Sequence, residues 1–391
     1  MSDDPTGLPP EPKDVTAPPE AETALAERRF AAERQRADRI IQFLTPFVSV
    51  AIAIAIGSLL VLASGHDPVA AFGALWQGAF GSQRAIGETL LRSTPLMFTG
   101  LALAYGFRAG LFNIGAEGQL FLGGLAAAFV GIKVAGLPWV VSVPLILISA
   151  AAAGAAWAFI PALMKARIGA NEVITTMMFS YIGKYLVSYL VTGPLSDKSG
   201  IPQTAQLPPS SMLPRLNTFM PFLMPTRAHA GIFVAFVMAV IVWAALKYTP
   251  LGYEARAVGF NIFASEAGGI SVQSTIIKSL CISGALAGLA GAVEVMGVYG
   301  RLFDSFSNGF GFTGIAVALL AKNNPIGVIA AALLFGALSA GAGTMQLEAQ
   351  VSQQLVGIIQ ALIILLVAAP TIVTWIVDRV RQRRAVASVA G

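Results

Sequence analysis

The chain has 391 residues, 56% of them hydrophobic and only 12% charged, with a mean hydropathy of +0.73. A soluble domain carries about 25% charged residues, so this surplus of apolar side chains excludes a water-soluble globule and asks for lipid as solvent. The net charge of +5 does not gather into the basic stripe of a nucleic-acid binder, because the bases sit in short gaps between apolar runs, as charges flanking membrane spans do.

Residues 1–42 hold 9 acids and 6 bases, and the remainder 11 and 19. Met1–Ala26 is rich in Pro, Ala and acids and is expected to be disordered; Glu27–Ile41 fits a basic amphipathic helix on the membrane surface. A basic stretch followed by an apolar run is missing here, so this N-terminus does not read as a signal peptide. Apolar sequence begins near Phe43. Runs long enough to span, or shorter ones broken inside the protein, fall near 43–64, 90–108, 114–134, 138–164, 172–193, 230–247, 275–299, 310–321, 326–346 and 353–377. The expected architecture is an all-α membrane protein of about ten spans, the piece 310–321 being too short to cross alone. Residues 43–377 then form the membrane domain and 378–391 a basic tail.

Lys and Arg in short loops set the orientation. Arg34, Arg36 and Arg39 precede the first span. With them inside, Lys165, Arg167, Lys247, Arg256, Lys322 and the tail Arg379, Arg381, Arg383 and Arg384 also fall inside. Both termini are thus expected to be cytoplasmic, with one long external loop, Thr192–Ala230.

Small residues recur at helix-contact spacing through Ser283–Gly291, which lets backbones approach where lipid supplies no drive between helices. Glycines mixed with polar residues break the apolar pattern at Gly106–Gln119 and Asn308–Gly314. Breaks in corresponding halves point to a transport pathway. Cys281 is the single cysteine, so neither an intrachain disulfide nor a cysteine metal site is available. His66 and His229 lie in separate gaps without ligand spacing and read as surface residues. No G-x-x-x-x-G-K-[ST] pattern, H-E-x-x-H or triad is present, which disfavours ATP binding on this chain and a membrane-embedded enzyme.

Four polar groups remain. Glu117, with Asn113 and Gln119 close by, has two readings. A carboxylate at membrane depth costs about 2.5–3.5 kcal/mol and should face a cavity or partner; alternatively it sits at the cytoplasmic interface near a helix N-terminus, where the dipole favours it. Asn171 is a good N-cap and Glu172 a good first-turn residue. Glu294 either lines a polar space or bonds a neighbouring helix. The segment Tyr248–Val272 exceeds the ~2–8 residues that connectors between helices use. A short glycine-bounded helix there would present Glu254, Arg256 and Asn261 to a soluble partner.

At these residues the chain resembles the permeases of ABC importers in the branched-chain amino acid and simple-sugar permease family, its nucleoside branch above all. Phe112-Asn113-Ile114-Gly115-Ala116-Glu117-Gly118-Gln119 is similar to that branch's hallmark. Asn171–Thr176 resembles the start of a further characteristic helix, and Thr249–Gly252 with Arg256–Asn261 resembles the cytoplasmic loop that docks on an ATPase. Ala264-Ser265 departs from paired alanines, and the N-terminal tail lies outside the pattern, which covers roughly residues 90–375.

The resemblance implies a type II importer fold of two pseudo-symmetric halves in a plasma (inner) membrane. It implies a pathway touching Phe112, Asn113, Glu117, Gln119, Asn171 and Glu294, and ATPase coupling through Gly252, Glu254, Arg256, Gly259 and Asn261. The implied partners are an ABC ATPase subunit that hydrolyses ATP, a second permease forming a heterodimer, an external solute-binding protein and membrane lipid, with no cofactor. Simple sugars are the alternative solutes. An ion-coupled secondary transporter is the rival class, and it would need ionisable groups at mid-bilayer.

Overall fold

Each of the ten apolar runs holds a helix over its described part. The structure, a computed structural model, describes residues 48–219 and 226–368. The N-terminal tail with its amphipathic segment and the tail 378–391 lie outside the described residues. In chain order the helices are α1 (Val48–Ala63), α2 (Pro68–Phe80), α3 (Gln83–Arg108), α4 (Ala116–Lys133), α5 (Trp139–Ile168) and α6 (Glu172–Thr192), followed by α7 (Gly231–Tyr248), α8 (Pro250–Phe260), α9 (Ile262–Ala267), α10 (Val272–Glu294), α11 (Phe310–Leu320), α12 (Pro325–Ala349) and α13 (Gln353–Ala368). Among the described residues, β-structure is confined to the isolated bridges Gln203–Phe303 and Arg215–His229. Four helices there are long and apolar enough to cross a membrane: α5, α7, α10 with its continuation to Tyr299, and α12.

Local chemistry explains most helix ends. Asn171 caps α6 through its Oδ1, which accepts from Val173 N at 3.0 Å, as its residue type predicts. Gly169, at φ +68°, closes α5, and Ala170 N donates back to Met164 O at 3.3 Å. Three expectations need correction. The helix α2 was not anticipated, because its 13 residues fall short of a span. α3 starts at Gln83 rather than 90, because Ser82 Oγ accepts from Ala85 N at 3.1 Å and makes a helix start of a charged segment. Likewise the segment after Tyr248 holds two helices, not one: Asn261 ends α8 and caps α9, accepting from Ala264 N at 3.0 Å.

The central element is α10, packed by α3, α4 and α5. Its apolar window is 72% buried, against 28% for α5 and 33% for α7, so α5 and α7 stand at the periphery. Glycines set this packing. A Cβ on Gly154 would collide with Gly284 O, one on Gly123 with Gly288 O, and one on Gly291 with Leu120 O. The spacing read from Ser283–Gly291 is thus the seam of three helices.

The bundle has two structurally distinct ends. One gathers the end of α3, the α5–α6 junction, α8 and α9: Lys165 pairs with Glu172 at 2.8 Å, and Arg108 Nε donates to Asn323 O at 3.0 Å. At the other end the loop after α6 folds down on the bundle. Leu207, Leu213 and Leu216 are buried, Ser211 Oγ donates to Gly131 O at 2.8 Å and Leu213 N to Met296 O at 3.1 Å. His229 belongs to this plug, which corrects its reading as a surface residue. It is 1% exposed, its Nδ1 accepts from Gly231 N at 3.2 Å, and burial pulls the imidazole down to about 4, so it is neutral near pH 7. A loop outside a span can still bury a histidine when its own leucines draw it onto the bundle.

Candidate translocation and coupling site

The first glycine break is a re-entry of non-helical backbone into the bundle. After α3 ends, Gly110 takes φ +71° and the chain turns inward to start α4 at Ala116. Ser180 Oγ donates to Ile114 O at 3.1 Å, and Ser180 lies about 12 Å along α6 from Glu172 at 1.5 Å per residue. The break therefore sits at depth, where irregular backbone survives only if protein satisfies its polar groups. Asn113 does so. Its Nδ2 donates to Gln119 Oε1 and Ser283 Oγ, both at 2.9 Å. Its Oδ1 accepts from Gly115 N at 3.0 Å and Gln119 Nε2 at 3.1 Å. Ser283 Oγ in turn donates to Ala102 O at 2.6 Å. Both donors and both lone pairs of the amide are spent.

This arrangement bears on the expected pathway residues. Asn113 and Gln119 are 0% and 1% exposed, so their amides hold α3, α4 and α10 together rather than face a solute. Asn113→Ala is accordingly expected to lower the stability of the purified protein by about 2–3 kcal/mol, because three buried partners lose their bonds. Thermal unfolding in detergent measures this; unchanged stability with lost uptake would return the amide to the pathway.

Glu117 stands one turn further along. It lies in the first turn of α4 and is 6% exposed. Its Oε2 accepts from Gly311 N at 2.7 Å, so it caps the start of α11 as well as lying in the first turn of α4. Gly311 permits the contact, since a Cβ there would collide with Glu117 N. Thr99 Oγ1 donates to Phe310 O at 3.0 Å. The two glycine breaks read from sequence therefore meet in space. Lys184 of α6 adds an attractive field at Glu117.

The remaining expected pathway residues are dispersed. Phe112 is half-buried with its ring 4.9 Å from that of Phe107, and Asn171 is exposed at the α6 start. Glu294 is 3% exposed at the far end, where α10 widens into a π turn, Val295–Tyr299. It lies in the field of Arg92, and no described hydrogen bond links it to a neighbouring helix. Close by is a polar cavity of about 440 Å³ between α2, α3 and α12, lined by Arg84, Glu88, Arg92, Thr344 and Glu348. Glu88 also takes Arg227 in a two-pronged pair at 2.9 and 3.0 Å. Sequence reading missed this cavity, whose charges come from three separated segments and carry no local spacing. Among the described residues no group of three His, Cys, Asp or Glu is placed to hold a metal ion.

At the opposite end, the residues expected to couple to an ATPase turn out to build α8 and α9. A Cβ on Gly252 would collide with Ala245 O and one on Gly259 with Arg108 O, so both glycines seat α8, the second of them against the α3 end. Glu254 lies 3.7 Å from Lys278, Asn261 is the cap already described, and Arg256 is half-buried. What projects instead is aromatic: Tyr253, Phe260 and Phe263 are 61%, 86% and 84% exposed. Apolar residues in an otherwise hydrophilic connector were the available signal, and a search for charges passes over it.

The family described as the permease component of the branched-chain amino acid transport system matches residues 85–368. The chain is similar to the guanosine ABC transporter permease protein of Bacillus subtilis, 41% identical over 89% of this chain and 99% of that protein. A glucose ABC transporter permease protein of Haloferax volcanii is 38% identical over 82% and 86%, and a nucleoside ABC transporter permease protein of Lactococcus lactis 33% over 88% and 95%. The same two bacteria each hold a second, more distant match of like description, at 29% and 27% identity. No solved structure matches.

Proposed function

This chain belongs to the family of branched-chain amino acid transport system permease components, and from that membership we propose that it is the membrane-spanning subunit of an ABC importer carrying a nucleoside-like solute into the cytoplasm. The observation that carries this reading is the likeness to a guanosine permease along 99% of that protein's length. Two pseudo-symmetric halves would each bring a broken helix to the joint of Glu117 and Gly311, where the pathway and its helix ends would be held in register.

Three features support the partners. The exposed aromatics of α8 and α9 offer a face for an ATPase, and with that face inside, both termini are cytoplasmic. ATP would be hydrolysed on the separate subunit, since this chain lacks a phosphate-cradling loop. That Bacillus subtilis and Lactococcus lactis each hold two permeases similar to this chain favours a heterodimer. The charged cavity lined by Arg84 and Glu348 would then open toward an external solute-binding protein, and the apolar outer faces of α5 and α7 would meet lipid.

Reconstituted with its companion subunits in proteoliposomes, the protein is expected to take up labelled guanosine only with ATP, with competition from other nucleosides and not from glucose. Uptake competed by glucose alone would move the solute to simple sugars, the reading favoured by the Haloferax relative. Uptake driven by an ion gradient without ATP would sink the importer reading.

A further inference from the structure

The outer face of α6 does not look like a lipid face. On α5 and α7 the large exposed side chains within the span are hydrocarbon, among them Val141, Ile148, Val237 and Ile241. On α6, Tyr181, Tyr185 and Tyr189 follow at four-residue intervals, which places them in one row, and they are 45%, 66% and 67% exposed. Tyr181 lies about 14 Å along the helix from Glu172, near the middle of a hydrocarbon core of about 30 Å. A hydroxyl at that depth needs a partner. Serine and threonine find one in their own helix, as Thr192 Oγ1 does by donating to Ser188 O at 2.8 Å. A tyrosine hydroxyl stands too far from its own backbone for that, and among the described residues no hydrogen bond engages the hydroxyls of these three.

Two further observations favour water and solute over lipid or protein on this face. Lys184 lies on its flank, half-buried, and among the described residues no ion pair within 4.0 Å engages it. The charge of Glu117 acts on it without contact, and an ammonium at mid-span with no contact partner borders a wet space or a cavity. Moreover, helices in this protein meet through small residues, as at Gly154, Gly284 and Gly288, whereas the α6 face carries tyrosine, methionine and isoleucine, which hold a neighbouring helix off.

We propose that Tyr181, Tyr185 and Tyr189 line the solute pathway as a ladder of ring platforms for an uncharged, planar, hydroxylated solute of the nucleoside class. The rings stack on the heterocycle and the hydroxyls exchange hydrogen bonds with its polar edge, so each step outward or inward trades one platform for the next. This rests on the importer reading above.

The test uses the complete complex in proteoliposomes on a Cys281→Ala background, with Tyr181→Cys and Tyr185→Cys as probes and Val237→Cys of α7 as the lipid-facing comparison. A charged, membrane-impermeant thiol reagent is expected to label both tyrosine positions and not Val237→Cys, and the solute carried by the wild-type complex is expected to slow that labelling. Tyr185→Phe should raise KM about threefold, the loss of one hydrogen bond, whereas Tyr185→Leu should raise it roughly tenfold or more, the loss of the ring stack as well, with complex yield unchanged. Labelling only by a lipid-soluble reagent overturns the proposal in favour of lipid, and a solute-independent disulfide to the second permease overturns it in favour of a subunit contact. Equal KM for the Phe and Leu variants overturns the stacking role. A wild-type complex that carries no nucleoside counts against the importer reading instead, and the accessibility pattern still decides whether this face is wet.

Discussion

Gly288→Val is expected to leave almost no assembled protein in the membrane. The position lies on α10, where α4 and α5 both close in. A Cβ there would collide with Ala150 O and lie 3.2 Å from Gly154 Cα, while Gly123 of α4 presses from the other side onto Gly288 O. Overpacking a core usually costs about 1–3 kcal/mol because side chains yield. Here the obstacle is the backbone of α5, and α4 packed behind leaves α10 no room to back away without straining the Asn113–Ser283 bond, 2.9 Å long. Membrane yield and a monodisperse peak in fluorescence-detected chromatography measure the outcome. Gly357→Ala, where an added Cβ meets nothing within 4 Å, should behave as wild type. Normal yield of Gly288→Val would mean that this three-helix seam is looser than described.

The second large effect lies at the α8–α9 face. Phe260→Glu combined with Phe263→Glu should abolish solute-stimulated ATP hydrolysis and release the ATPase on purification. Both rings project into solvent, so the substitutions leave the packing of the permease alone. A buried aromatic anchor at an interface is worth about 2 kcal/mol or more, and two carboxylates in its place add a desolvation cost. Arg256→Glu should do less, because Arg256 is half-buried along α8. Because Gly259 seats α8 directly on the end of α3, a push on this face reaches the α3–α4 break without a flexible link. Wild-type stimulation in the double variant would move the coupling face elsewhere.

How much of this was legible beforehand differs by feature. Apolar runs of about 20 residues read as helices in lipid, since a segment of that length satisfies its backbone within itself. The ten helical runs, the cap at Asn171 and the small-residue seam of Ser283–Gly291 follow from composition and local spacing. Each depends on residues within a few positions of one another, or on the solvent. The hallmark Phe112–Gln119 was legible as a special place, though not for its use. Asn113 meets a serine 170 positions away, and Glu117 an amide 194 positions away. Whether a polar group at depth faces solute or repairs broken backbone is decided by that distant partner, and no local period encodes it. The same holds for His229, buried by a loop that folds back, and for the charged cavity assembled from α2, α3 and α12. Sequence alone determined the solvent of this protein and the places where its helices break. Tertiary structure decided which polar groups are already satisfied, because hydrogen bonds saturate and an amide with four bonds has nothing left to offer a solute.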